Sequence, residues 1–122
     1  MKVYIADDSS EIRIRLNRML KEIEGVEICG EAQNGVSAIQ DIRDLHPDLV
    51  VLDIRMPMIN GLDVLKTLVD SPEKPVVIIL TQYPYPQYRE KCKELGADHF
   101  LEKSSDIDKV FSIVQKLAQQ AA

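Results

Sequence analysis

Cysteine is scarce in this chain of 122 residues: there are two, Cys29 in a strand-like segment and Cys92 in a helix-like one. Their number and separation exclude a disulfide framework and a four-ligand zinc site, and a chain of this length can build one core without either staple. Long apolar runs are missing as well. None approaches the roughly 20 residues of a membrane span, and the start, Met1-Lys2-Val3-Tyr4-Ile5-Ala6 followed by Asp7-Asp8, lacks the pattern of a signal peptide. Positive charge is not in excess: the formal net charge is -5, which counts against direct binding of nucleic acid, where phosphate neutralisation dominates. No repeat, low-complexity tract or linker interrupts the sequence. What remains is one domain over 1–122, expected in the reducing cytoplasm, with no membrane partner and no direct nucleic-acid partner.

What the chain does have is alternation. Apolar runs of strand length fall at Val3–Ala6, Val26–Ala32, Leu49–Leu52, Val76–Leu80 and His99–Leu101. Between and after them lie segments of helical period, so the pattern predicts a doubly wound parallel α/β sheet with five strands and five helices. The first helix follows Ser9-Ser10, places Ile12, Leu16, Met19, Leu20 and Ile23 on one face, and is expected to end at Gly25. The second runs from about Val36 to Leu45, and the third follows Asn60-Gly61. The fourth spans about Pro86 to Leu95, and the fifth about Asp106 to Gln119. The second strand is the most polar, as suits a sheet edge, whereas Val76–Leu80 is apolar throughout and so expects cover on both faces.

In such sheets ligands bind beyond the carboxyl ends of the strands. Asp7 and Asp8 follow the first strand there, Asp53 the third, Thr81 ends the fourth, and Lys103 follows the fifth. Any two of these carboxylates about 4 Å apart repel by roughly 4 kcal/mol at an effective dielectric near 20. Either a proton or a cation must relieve that repulsion. An all-oxygen donor set with retained waters suits Mg²⁺, which would also draw in a phosphoryl group. Asp53 then becomes a carboxylate nucleophile that forms an acyl phosphate, with Lys103 paired to the phosphoryl group and Thr81 donating a hydrogen bond to it. Taken singly, Asp7-Asp8 and Asp53 read equally well as solvated strand ends; their joint occurrence with Thr81 and Lys103 favours chemistry.

Ile5-Ala6-Asp7-Asp8-Ser9, Val51-Leu52-Asp53-Ile54-Arg55-Met56-Pro57, Asn60-Gly61, Leu80-Thr81, Gly96-Ala97-Asp98 and Phe100-Leu101-Glu102-Lys103 together resemble the receiver domain of bacterial two-component response regulators, over essentially the whole chain. The resemblance implies the flavodoxin-like strand order 2-1-3-4-5. It implies phosphorylation of Asp53 by a sensor histidine kinase or phosphotransfer protein. It also implies a Mg²⁺ ion held by Asp8 and Asp53, by the main-chain carbonyl of Arg55, and by Asp7 through water. Thr81 and Phe100 would be the switch pair and Lys103 the phosphate partner, and the face of the fourth helix, fifth strand and fifth helix would signal to a downstream protein. Ile14, apolar among Arg13, Arg15 and Arg18, would meet the kinase. Glu31-Ala32-Gln33-Asn34-Gly35 further resembles receivers that precede a helix-turn-helix output domain, so a stand-alone receiver and a fragment of a DNA-binding regulator both remain open.

Three departures stand out. Ser104 replaces the proline that usually follows the lysine, and Ser105-Asp106-Ile107-Asp108 is expected to form a capping box instead. Gln82 replaces a small residue after the switch threonine and would modulate the lifetime of the phosphate. Tyr83-Pro84-Tyr85-Pro86 stiffens a loop that has to move. Two rivals share the fold or the chemistry. An aspartate-nucleophile phosphatase needs Asp-x-Asp, whereas Arg55 occupies the second position. A nucleotide- or flavin-binding module needs a glycine- or hydroxyl-rich loop after the first strand, where Asp7-Asp8 would repel a phosphate.

Overall fold

Leu49–Leu52 forms β3, whose four residues are all buried. A strand without a solvent face must lie inside the sheet, and β3 pairs in parallel with β1 (Lys2–Ala6) on one side and β4 (Val76–Thr81) on the other. The polar strand β2 (Glu27–Ala32) is one edge and the short β5 (His99–Glu102) the other, giving the expected order β2-β1-β3-β4-β5. The computed structural model describes residues 1–121; the last residue of the expected domain lies outside that range.

Successive strand residues point to opposite faces, so each central strand feeds two cores. Tyr4, Ala6, Val50, Leu52, Val77 and Ile79 meet buried residues of α2 (Gly35–Leu45), α3 (Gly61–Val69) and α4 (Pro86–Glu94). Val3, Ile5, Leu49, Val51, Ile78 and Leu80 meet α1 (Ser10–Leu20) and α5 (Lys103–Ala121). Each fully buried aliphatic side chain contributes roughly 1.5–3 kcal/mol, enough to fix the strand register and hence the rim beyond it. Helix α4 is the exception to dense packing, since Cys92 is its one buried residue. It starts with Pro86 in its first turn and lacks a side-chain cap.

Two helix ends differ from expectation. Helix α1 stops at Leu20; Lys21 to Glu24 turns the chain, Ile23 stays buried in the core, and Gly25 takes φ +83° on the way into β2. Helix α5 starts at Lys103, three residues earlier than expected, and the Ser105–Asp108 capping box is not formed. Asp106 Oδ2 instead accepts from the Glu102 N–H at 3.0 Å, the Ser104 hydroxyl donates to Glu102 Oε1 at 3.0 Å, and the Asp108 side chain is exposed. A proline after Lys103 would bias Lys103 away from helical geometry, whereas Ser104 allows the helix to begin there.

Candidate functional site

The register aligns Ala6 with Leu52 and Leu52 with Ile79, so Asp7 and Asp53 leave the sheet side by side. Their backbones are held by Asp7 N–H donating to Ala32 O (3.0 Å) and Asp53 N–H donating to Ala6 O (2.9 Å). Among the described residues the buried polar or charged side chains are Asp7, Asp53, Thr81 and Lys103, at 2, 4, 0 and 8% exposure. All belong to this one rim. Burying charge costs several kcal/mol unless it is compensated, so the concentration of every such group at one spot has to have a local electrostatic explanation.

Lys103 supplies part of it. Its Nζ lies 2.9 Å from Asp7 Oδ2, 3.0 Å from Asp7 Oδ1 and 3.1 Å from Asp53 Oδ2. The Ser9 N–H adds a 2.9 Å bond to Asp7 Oδ1. Asp8 is exposed, yet its carboxylate joins those of Asp7 and Asp53 with ligand atoms all within 4.8 Å of one another. One ammonium cannot neutralise three carboxylates. Burial first, and then the Asp7 charge, push the Asp53 carboxyl up to about 7 against the pull of Lys103. Burial likewise raises Asp7 despite its bonds to Lys103 and Ser9. Burial works to lower Lys103, but its hydrogen bonds and the charges of both aspartates outweigh that and raise it. The cluster is a set of oxygen donors short of positive charge, which is what a magnesium ion with retained waters fits.

Two helix N-termini clamp the loop after Asp53. Asn34 caps α2 by accepting from the Ser37 N–H at 2.9 Å, and Asn60 caps α3 by accepting from the Asp63 N–H at 3.1 Å. The glycine after each asparagine touches the loop: Gly35 N–H donates to Pro57 O (3.4 Å) and Gly61 N–H to Ile54 O (2.6 Å). A Cβ on Gly61 would collide with the main-chain oxygen of Asp53, and one on Gly35 with that of Ile59. The sequence shows Asn60-Gly61 as a turn signal; the close approach of both Asn-Gly pairs to the aspartate loop is set by tertiary structure.

The remaining expected residues are spread over β4 and the loop after it, β5, α1 and the loop after β3. Thr81 Oγ1 accepts from the Tyr83 N–H at 3.0 Å, and among the described residues its own proton has no hydrogen-bond acceptor. Gln82 is exposed. Phe100 sits half-buried on β5, paired with Ile79, under the Arg89 guanidinium at 4.6 Å from the ring centroid. Ile14 is 51% exposed on α1. Met56 is a core residue and Met58 an exposed loop residue, neither grouped with the acidic side chains. Sequence reasoning missed the Arg55 side chain, whose guanidinium lies 4.0 Å over the Tyr83 ring. Tyr83 to Tyr85 and Tyr85 to Tyr88 continue a ladder at 6.0 and 5.7 Å, connecting the aspartate loop to α4. It also missed Arg13, which donates to the main-chain oxygen of Asp7.

Residues 3–115 match the family model of the response regulator receiver domain. The chain belongs to that family. A 37% identical relative, an uncharacterized response regulatory protein of Vibrio cholerae, aligns over 117 residues, 95% of this chain and 44% of that protein. The receiver therefore spans less than half of that relative. Among solved structures, the DNA-binding response regulator of the LuxR family from Staphylococcus aureus superposes with a TM-score of 0.87 at 29% identity, covering 96% of this chain and 98% of that one. A chain of the CheX-CheY-BeF3-Mg2+ complex from Borrelia burgdorferi gives 0.86 at 28% identity, covering 96% of this receiver and 88% of that chain.

Proposed function

We propose that this receiver is a signalling switch that accepts a phosphoryl group on Asp53 from a sensor histidine kinase or phosphotransfer protein. The observation that carries the proposal is the gathering of the buried polar side chains, Asp7, Asp53, Thr81 and Lys103, at one rim beside Asp8. In the transfer an Asp53 Oδ–P bond forms as the donor's N–P bond breaks, and the imidazole leaves with the electron pair. Asp8, Asp53, the main-chain carbonyl of Arg55, and Asp7 through water would hold Mg²⁺. When bound, the ion neutralises charge on the phosphoryl oxygens.

This chain's own residues do the rest. Asp53 attacks as a carboxylate, and burial and the Asp7 charge, which push its carboxyl up to about 7, work against that form until the charge balance changes. Lys103, shared between Asp7 and Asp53, exchanges an aspartate oxygen for a phosphoryl oxygen. Thr81 turns its free hydroxyl proton to the phosphate, and because Thr81 also accepts from the Tyr83 N–H, that movement pulls on the loop before α4. Phe100 then turns inward from beneath Arg89, changing the α4–β5–α5 face that a downstream protein reads. Gln82 and Tyr83, which follow Thr81 beyond the end of β4, modulate the phosphate's lifetime.

This scheme needs no turnover beyond the protein's own phosphorylation and dephosphorylation. It contrasts with an aspartate-nucleophile phosphatase, since Arg55 is a permanent cation where such an enzyme needs an acid and base. The domain, read over 1–122, works in the cytoplasm without direct contact to nucleic acid or membrane; no described helix is long and apolar enough to cross a membrane. Ile14 tests the docking side. Ile14→Glu is expected to lower transfer from the cognate histidine kinase at least tenfold while leaving phosphorylation by acetyl phosphate unchanged. Equal transfer from the kinase would remove Ile14 from the docking face.

A further inference from the structure

Helix α1 carries a polar cluster outside the acid pocket that the transfer scheme does not use. Arg13 Nη1 donates to the main-chain oxygen of Asp7 at 2.7 Å, and Arg13 Nε donates to Glu31 Oε1 on β2 at 3.1 Å. Asn17, one turn further on, donates its Nδ2 to Glu31 Oε2 at 2.7 Å and to Arg13 O at 2.9 Å. The arginine side chain is 15% exposed, although Glu11, Ile14, Arg15 and Arg18 on the same helix are exposed. We infer that Arg13 is a positioning residue for divalent-cation binding: its fork fixes the Asp7–Asp8 peptide and so aims the two carboxylates of that loop. The inference rests on the reading of the acid pocket as a Mg²⁺ site.

The peptide between the two aspartates is held from both sides. Its carbonyl is the Asp7 oxygen that Arg13 grips, and the preceding amide of Asp7 is already tied to Ala32 O. Holding both groups sets the orientation of the Asp7–Asp8 peptide plane, and with it the direction in which Asp8 leaves the backbone. Asp8 needs this help because it is exposed and unburied by neighbours, whereas Asp7 is locked by Lys103 and the Ser9 N–H. Glu31 serves as the anchor, on a strand held in register with β1 and with its carboxylate shared by Arg13 and Asn17.

Charge alone gives the opposite expectation, which makes the inference decidable. A cation near the pocket repels Mg²⁺, so deleting Arg13 would tighten binding if its charge were all that mattered. Lysine keeps the charge but cannot reproduce a planar fork that reaches Glu31 and the Asp7 carbonyl together. Calorimetric titration of the metal-free protein with MgCl₂ is expected to give dissociation constants about 3- to 10-fold weaker for both Arg13→Lys and Arg13→Ala, at or below the low end of losses seen for outer-sphere partners of metal ligands. Asn17→Ala, which frees one side of Glu31 and leaves the guanidinium in place, is expected to show a smaller loss in the same direction. Thermal melts in EDTA separate these effects from stability, because a role in folding alone moves the melt and leaves the Mg²⁺ constant of the folded fraction unchanged. Wild-type affinity in Arg13→Lys, or tighter binding in Arg13→Ala, would overturn the inference while the pocket reading stands. Wild-type protein with no Mg²⁺ binding, or with binding indifferent to Asp53→Asn, would overturn the pocket reading and this inference with it.

Discussion

At the scale of single residues the controlling fact is an aspartate in a place that disfavours its charge. Asp53 has a folded-state pKa of about 7 against an ordinary value of 3.8, with burial the main cause. A raised carboxyl pKa means that the protonated form favours folding. The stabilisation is therefore complete below about pH 4 and is lost as pH rises towards 7. Metal-free protein is expected to unfold at lower urea concentration at pH 8 than at pH 5.5. Asp53→Asn should flatten that dependence and stabilise the protein at pH 8 by roughly 1–2 kcal/mol, since the relieved repulsion exceeds the lost bond to Lys103. Urea titrations of both proteins at the two pH values check the sign. A wild type more stable at pH 8 would contradict the electrostatic account.

The same scale shows what a sequence can disclose. Asp7, Asp8, Asp53, Thr81 and Lys103 were legible because each lies within two residues of the end of an apolar run, and parallel strands put their ends on one rim. Arg13 and Glu31 were not. Their pairing joins a helix to an edge strand at a distance fixed only by packing, and neither stands out among the other charges of its segment. The Arg55 side chain escaped for a similar reason, because its partner Tyr83 belongs to a different loop.

At the scale of elements, the helix N-termini are as much a part of the site as the strand ends. Gly61→Ala is expected to destabilise the domain by about 1–3 kcal/mol through overpacking against Asp53 O, and to slow phosphorylation because the loop itself must shift. Gly25→Ala is the control. Its positive φ costs about 1–2 kcal/mol, but no atom near its would-be Cβ belongs to the site, so the phosphorylation rate should stay at the wild-type value. Urea unfolding and acetyl phosphate kinetics on both variants separate strain from site distortion. Helix α4 calls for a different measurement. It buries Cys92 alone, so the Arg55–Tyr83 stack and the tyrosine ladder carry an unusual share of its attachment. Arg55→Ala is expected to speed amide exchange at Tyr83, Tyr88 and Arg89, whose N–H groups donate to Thr81 Oγ1 and Tyr85 O, by about fivefold, the loss of roughly 1 kcal/mol for one cation–π contact. Unchanged exchange would show that the stack does not hold the loop. Strand and helix identities were all legible from apolar period, while two helix ends were not. Gly25 is a turn residue beyond α1, and the start of α5 depends on the absence of a proline after Lys103.

At the scale of the whole molecule, alternating side chains from β1, β3 and β4 divide into two cores, one under α2, α3 and α4 and one under α1 and α5. The central sheet is thus covered on both faces, and α4, with Cys92 its one buried residue, is the least deeply packed of the helices beside it. That asymmetry suits the proposed switch, in which the rim would hold the phosphoacceptor and the α4 flank would change shape. It also explains why the fold could be read from the pattern of apolar runs, whereas the identity of the partners could not: the former is set by buried periodicity, the latter by surface residues under no such constraint.

The central claim is that Asp53 carries the phosphoryl group and needs a divalent cation to do so. Its most direct test is intact-mass and peptide mapping after incubation with acetyl phosphate, with MgCl₂ or with EDTA. The expected result is one added phosphoryl group, located on the peptide containing Asp53, present with Mg²⁺, absent with EDTA and absent in Asp53→Asn. Modification at another residue, or equal modification of Asp53 in EDTA, would contradict the account.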